Sequence, residues 1–517
     1  MANTSLFRSL AGALIPKADT RNEAGGPAYA MTATQALAQY AATGCLNATF
    51  YASAGTQLDR VLALAGGVTP EFLARTAVYA RERGAMKDMP ALLLAMLSRR
   101  DPALMDRVFD RVVDSPRMLR TFVQIVRSGA TGRKSLGSAP KRCVRRWLDQ
   151  RTDAALFAAS VGNAPSLADI VKMVHPKPAT PAREALYGYL TGRSVRTEAL
   201  PPGVVEFEAF KAGDRARVPD LPFQMLASAE LTARDWADIA RRGSWQTLRM
   251  NLNTFARHGV FELEGMTAAI ASRLRDRDEI ARAKVLPYQL LAAFRSADAK
   301  VPGEVRAAIE EAMELAIANV PAVEGQMYVC PDVSGSMLSP VTGHRRGATT
   351  AVRCIDVAAL MTASLVRRNP GAGVLPFNSS VVPMTVSAAD GVLANAETLA
   401  RLGGGGTRVS APLAWLNARG ATGALVVIVS DNESWADAGE ARGTATMREW
   451  NRFRARNPRA RLVLLDLQPS ATTQAVERAD VLNVGGFSDR VFEVVSEFAA
   501  GRLHDGHWVE AIESVAV

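Results

Sequence analysis

At 517 residues and 48% hydrophobic content, the chain can bury more than one core, which predicts at least two domains. Four cysteines (Cys45, Cys143, Cys330, Cys354) form no CxxC pair, no apolar leader of adequate length opens the sequence, and no run of eighteen apolar residues occurs. A reduced, cytoplasmic protein that does not span a membrane is expected. The net charge of +10 is uneven: residues 1–325 hold 43 Lys and Arg against 33 Asp and Glu, whereas 326–517 hold 18 of each. Residues 101–200 are the most basic stretch, with 17 against 9. Such local potential suits a polyanion, and equally a solvated basic surface.

In chain order, Ala, Leu, Arg and Glu dominate up to about residue 320, punctuated by breakers such as Gly66-Gly67, Asp101-Pro102, Ser115-Pro116 and Pro201-Pro202-Gly203. Leu119, Phe122, Val123 and Val126 fall at i, i+3, i+4 and i+7, with Arg117, Gln124 and Ser128 facing away, which is an amphipathic helix. Further helices are predicted at 71–84, 90–99, 140–151, 232–242, 245–258 and 266–281. Helix-turn-helix units without strands imply a helical array, although no strict period is present.

After residue 320 the texture alternates. A strand is predicted at 327–331, a helix at 349–368, strands at 372–377 and 380–386, and a helix after 407. The apolar "ALVVIVSD" (424–431) follows, then a helix at 444–455, the strand "RLVLLDL" (461–467) and a last helix from Ser488. Apolar strands alternating with helices predict a doubly wound, Rossmann-like parallel sheet, so the fold class is α plus α/β. Ligands of such sheets gather at the carboxyl ends of the strands.

One of those ends reads "CPDVSGSM" (330–337) and offers Asp332, Ser334 and Ser336. Thr407, after the run Gly403–Gly406, and Asp431, at the end of "VVIVSD", add two oxygens from separate loops. Hard oxygen donors suit a divalent cation, Mg2+ first, and zinc poorly. DxSxS alone also suits a turn that caps the next helix; Thr407 and Asp431 in register favour the metal. These five residues resemble the metal-ion-dependent adhesion site of a von Willebrand factor A domain. Pro331 departs from the family pattern, because it removes a ladder donor just before the aspartate.

Upstream, the segments "RNEAGGPAYA" (21–30), "MKDMPALLLAMLSRRDP" (86–102), "RTFVQIVRSGATGRKSLGSAPKRCVRRWLDQR" (120–151), "PSLADIVKMVHPKP" (165–178), "LPFQMLA" (221–227) and "SWQTLRMNLNTFARHG" (244–259) resemble the TROVE module of Ro autoantigen proteins, in family order and closest to bacterial orthologues. The resemblance implies a HEAT-like helical ring over 1–322 and an A domain over 323–517. It implies a monomeric ring that binds small noncoding Y RNA on its outer surface and single-stranded ends of misfolded or precursor RNA in its central hole. The resemblance further implies roles in RNA quality control, rRNA maturation or decay, with an exoribonuclease such as polynucleotide phosphorylase as a partner.

The basic segment supports RNA independently. On a helix from Pro140, Val144, Trp147 and Leu148 share one face while Arg142, Arg145 and Arg146 leave the other, beside Lys141. Arg133 and Lys134 precede it, and Lys172, His175 and Lys177 follow. Singly each cation suits a solvated helix face; gathered within 45 residues they suit phosphates, since A-form RNA is read through shape and backbone. Leu167 stands about where eukaryotic relatives carry an RNA-contacting histidine, which puts that contact in doubt. "GATGRKS" (129–135) lacks the spacing and preceding strand of a phosphate loop. "HDGHW" (504–508) is weak metal spacing, and Trp147 and Trp245 suit core positions. No catalytic constellation emerges, so an enzyme is not expected. The alternative function is a Mg2+-dependent adaptor whose A domain recognises an acidic residue of a partner.

Overall fold

A computed structural model of the protein describes residues 16–517 apart from 44–45, 85, 215–216, 228, 284, 286, 317–319, 321, 342, 344–351, 438–442, 469, 487–488 and 504–506. Cys45, the first residues of the helix expected at 349–368, and His504 of "HDGHW" fall outside the described residues. Two compact units result. One comprises Val68–Leu274, Ala297–Arg306 and Val515–Val517, and the other comprises Met1–Gly67, Arg275–Ser296 and Ala307–Ser514. The units therefore do not divide at a single cut near residue 322. Residues before Gly67 join the sheet-bearing unit because their strands and helices pack on it.

In the first unit, sequence punctuation sets the helices. Thr69, Asp101, Ser115, Thr152, Ser166, Thr180, Thr232 and Ser244 cap helix N-termini with side-chain oxygens that accept from backbone N–H groups. Proline follows the cap in the helices Pro70–Glu82, Pro102–Val112, Pro116–Ser128 and Pro181–Leu190, where its missing N–H costs nothing. Pro70–Glu82 packs on Asp88–Arg100 and on Pro102–Val112, Asp88–Arg100 on Pro116–Ser128, and Pro102–Val112 on Ser138–Asp149. Each helix thus buries one stripe against its neighbours, as Met118, Leu119, Phe122, Val123 and Val126 do.

Two expected helices are each split. The one over 245–258 becomes Trp245–Met250 and Leu252–Arg257, because the Asn251 amide donates to the Thr247 carbonyl (2.8 Å) and takes the backbone off helical geometry. The one over 266–281 becomes Met266–Leu274 and Arg277–Ala283, because Asp276 accepts from Glu279 N (2.7 Å) and starts a new helix.

In the second unit, β1 (Thr20–Arg21) and β2 (Pro27–Ala30) form an antiparallel sheet completed by β7 (Thr472–Thr473). The main sheet is parallel, with β3 (Met327–Pro331), β4 (Gly373–Val374), β5 (Leu425–Ser430), β6 (Arg461–Asp466) and β8 (Val481–Gly485) in the order β4-β3-β5-β6-β8. The β5 side chains are buried throughout, and Val329 pairs with Val427 in register. The strand β8 and the helix Val392–Ala400 complete the alternation and carry no equally strong apolar run. The strands expected at 372–377 and 380–386 reduce to β4 and isolated bridges at Phe377. Proline explains this: Pro376 and Pro383 cannot donate, and Pro331 lacks its donor on the β4 side, where its carbonyl accepts from Phe377 N (3.0 Å). After β3 the chain adds β4 on one side and then β5 on the other, so the topological switch point lies between β3 and β5.

Candidate metal centre and basic surface

Asp332 follows β3 and Asp431 follows β5, so the switch point brings the two carboxylates to one end of the sheet. Asp332 Oδ1 accepts from Ser334 N (2.8 Å) and Oδ2 from Ser430 Oγ (2.6 Å), which fixes the carboxylate and turns the loop. Ser334 Oγ and Ser336 Oγ lie 3.3 Å apart, and the Ser336 hydroxyl lies beside Asp431. The Thr407 loop is stitched to this one: Gly404 N donates to the Val333 carbonyl (2.8 Å) and Gly335 N to the Gly405 carbonyl (3.0 Å). Gly404 and Gly405 hold φ of 141° and 87°, so the close approach requires glycine. On its far side, Ala436 N donates to the Thr407 carbonyl (3.1 Å). All five predicted oxygen residues are therefore carried by three mutually bonded loops, and each is at most 5% exposed.

Charge is poorly accommodated there without a cation. Burial, and then the charge of Asp431, pushes the Asp332 carboxyl up to about 7, and burial also raises Asp431. Asp431 Oδ2 is buried with no hydrogen-bond partner. Two buried carboxylates, one with an unsatisfied oxygen, beside three hydroxyls form a donor set that fits a hard divalent ion. Among the described residues no three His, Cys, Asp or Glu side chains converge as metal ligands, so hydroxyls must complete the set.

Sequence reasoning missed the surroundings of these five. Ser430 holds Asp332, and its position next to Asp431 was the available clue. Glu433 is pushed up to about 8 by burial and then by Asp431, and Asp466 at the end of β6 is raised by burial and then by Glu433. Residues some 400 positions upstream attend these acids: Ala24 N donates to Glu433 (3.0 Å), Asn22 Nδ2 to the Ser434 carbonyl (2.9 Å) and Gln39 Nε2 to Asp466 (2.7 Å). No local sequence signal marks such partners.

The basic residues lie in the helical unit. The helix Ser138–Asp149 buries Cys143, Val144, Trp147 and Leu148, and Trp147 Nε1 donates to the Val113 carbonyl (2.6 Å), so its tryptophan is core as predicted. Trp245 is buried in the same way, with Nε1 on the Leu274 carbonyl. Lys141 and Arg142 flank the exposed side, and the Arg142 side chain is 62% exposed at 3.5 Å from Asp106. Arg145 is exposed and donates Nε to the Val174 carbonyl (2.5 Å), which sets it at the end of the helix Leu167–Val174. Lys172, His175 and Lys177 are exposed around that end. His175 ends the helix in the left-handed region (φ 48°), ahead of Pro176.

Arg146 departs from the expected open row. Its guanidinium is committed to Asp106 (2.5 Å) and Asp110 (3.0 Å), because the helix Pro102–Val112 presents both acids to it. Arg133 is likewise half-buried, with Nη1 on the Leu136 carbonyl (3.1 Å), while Lys134 is exposed. Two cations not singled out join this side: exposed Arg99, whose guanidinium lies against Gly132, and exposed Arg127, whose charge acts on Asp169. Their clue was position, in the last turns of the helices Asp88–Arg100 and Pro116–Ser128. Leu167 is buried and presents no RNA-facing group.

Residues 326–499 match the family model of the Ro60 vWA domain. The chain is 26% identical to the RNA-binding protein RO60 of Deinococcus radiodurans, over 93% of this chain and 96% of that relative. The crystal structure of the Deinococcus radiodurans RO (RSR) protein superposes with a TM-score of 0.60 at 21% identity, covering 91% of this chain and 100% of that one. Over nearly its whole length the chain is similar to Ro proteins. The α plus α/β class predicted from the residues is thus also the class of a solved Ro protein. The segment that matches the Ro60 vWA model contains all five oxygen residues.

Proposed function

We propose that the chain is an RNA-binding protein that forms a ribonucleoprotein with a small noncoding RNA of the Y class. In this reading the structured RNA lies on the face carrying Lys134, Arg142, Arg145, Lys172, His175 and Lys177, and single-stranded ends of misfolded or maturing RNA enter the central opening that the family resemblance implies. The observation that carries the reading is the gathering of exposed cations at one place: Arg145 bonds the last carbonyl of the helix Leu167–Val174, beside His175. Guanidinium and ammonium groups so placed neutralise successive phosphates and need no base edges. The near full-length similarity to a protein named RNA-binding supports it as well. Work in cytoplasmic RNA quality control, rRNA maturation or decay, with an exoribonuclease receiving the RNA, completes the proposal.

Asp332, Ser334, Ser336, Thr407 and Asp431 are proposed to hold Mg2+. A bound Mg2+ supplies the positive charge that two buried carboxylates lack. The chain's own hydroxyls and backbone bonds fix the three loops around it. The test begins with chain purified natively from its host. Small structured RNA should copurify, and labelled RNA should bind at modest ionic strength and bind more weakly to an Arg145→Ala/Lys172→Ala/Lys177→Ala variant. Material free of transcripts that also ignores added RNA sinks the reading.

A further inference from the structure

The alternative of an adaptor offers the metal to a partner's carboxylate, which requires an open approach. Residues 47–53 of the chain itself lie beside the loops of that site. All five oxygen residues are buried. Residues 47–48 lie against Gly343, just beyond the metal loop, where any side chain would meet the Ala48 carbonyl and Asn47. The next residues form a tight turn: Thr49 N donates to the Ala52 carbonyl (2.8 Å) and Ala52 N to Thr49 Oγ1 (3.2 Å). Gln57 Nε2 braces the same hydroxyl (3.2 Å), and Ser53 caps the helix Ala54–Gly66 that follows. The turn is thereby fastened to a helix and projects Tyr51, whose hydroxyl lies beside Ser336. Phe50 packs edge-on against its ring, with centroids 4.8 Å apart. Asp431, Glu433 and Asp332 are near enough for their charges to act on the phenol. A phenol beside the ligand Ser336 can cover it and can donate or accept.

We propose that Tyr51 is a sixth residue of the metal centre, a phenol fixed over its entrance by the Thr49–Ala52 turn, so that the cation acts within the chain and is withheld from a partner's carboxylate. The inference rests on reading the five oxygen residues as a divalent-cation site. Its consequence is that metal binding fastens residues 47–53 to the loops after β3 and β5.

The experiment uses the full chain loaded with Mn2+, read by water-proton relaxation, with acetate as the carboxylate probe. Wild type should show low relaxivity and no response to acetate. Tyr51→Ala should gain about one exchangeable water per ion and lose it as acetate is added. Tyr51→Phe keeps the ring and its packing, so it should rise less than Tyr51→Ala; if Tyr51→Ala does not fold, any rise in Tyr51→Phe over wild type decides for the cover. Uptake of Mn2+ with equal relaxivity and equal acetate response in wild type and variants overturns the cover and leaves the cation site standing. Failure of wild type and variants alike to take up Mn2+ overturns the cation site, and the cover with it.

Discussion

At the carboxyl ends of β3 and β5, carboxylates are sealed from water and crowded together, and burial drives Asp332 up to about 7 and Glu433 up to about 8. On the face built by the helices Ser138–Asp149 and Leu167–Val174, cations stand exposed to solvent. The first arrangement stores a local deficit of positive charge that a single ion can relieve, since desolvated charges interact strongly. The second stores almost none, because exposed charges are screened and individually weak. A few kcal/mol at one residue should therefore decide the metal site, whereas the basic face should act only as a sum. Single substitutions, salt and pH can each upset that contrast or draw it tighter.

The largest effect is expected at Asp332. Asp332→Ala removes one of two carboxylates and the acceptor that organises Ser334 N and Ser430 Oγ. Calorimetry should find Mg2+ uptake by wild type and none by the variant, with RNA affinity near that of wild type. Because the bound form needs the carboxylate ionised, wild-type affinity should also fall as the pH is lowered through about 7. Uptake by Asp332→Ala equal to wild type would count against the assignment.

The difference between the two sites also decided how legible they were. The five residues proposed for the metal were readable as a group because their loops follow apolar strands or a glycine run, and a parallel sheet delivers strand ends to one edge. What escaped was everything that arrives from far along the chain. Gln39, Ala24 and Tyr51 serve acids some 300 to 400 residues away, and nothing in their own neighbourhoods announces it. On the basic face, helical periodicity put Arg142, Arg145 and Arg146 on the side away from Trp147. It could not show that Asp106 and Asp110, two helices upstream, would claim Arg146 and leave Arg145 to reach Val174. Strand prediction failed at 372–386 for a local reason that was on view, since Pro376 and Pro383 interrupt the donors a ladder needs.

That division among the arginines gives a smaller, additive prediction. Replacing Arg142, Arg145, Lys172 and Lys177 by Ala should lower the slope of log affinity against log salt by up to ~0.9 for each phosphate that is no longer neutralised, the duplex DNA value serving as guide. Arg146→Ala should leave that slope unchanged. Its cost should appear in thermal unfolding at about 1 kcal/mol or less, because its ion pairs with Asp106 and Asp110 are partly exposed. A slope change from Arg146→Ala matching that of Arg145→Ala would erase the distinction drawn between a guanidinium held by carboxylates and one held by a backbone carbonyl.

A last effect separates the acids around the proposed cation site from the site itself. Asp466 is fully buried and held well above the usual carboxylate range by burial, then by Glu433 and Asp431, while Gln39 and Asn432 donate to it. In the unfolded chain it ionises near pH ~3.9. Over the interval between that value and its raised folded value the native state binds more protons than the unfolded one, so stability falls as pH rises. Glu433 acts in the same sense up to about 8. Metal-free wild type should therefore lose stability in urea unfolding between pH ~5 and ~8. Asp466→Asn, which cannot ionise, should flatten the fall by removing one group's share, at most ~1.4 kcal/mol for each pH unit inside the interval. Equal pH slopes for the two proteins would mean that Asp466 stays ionised in the folded chain, and that Gln39 and Asn432 compensate its burial fully.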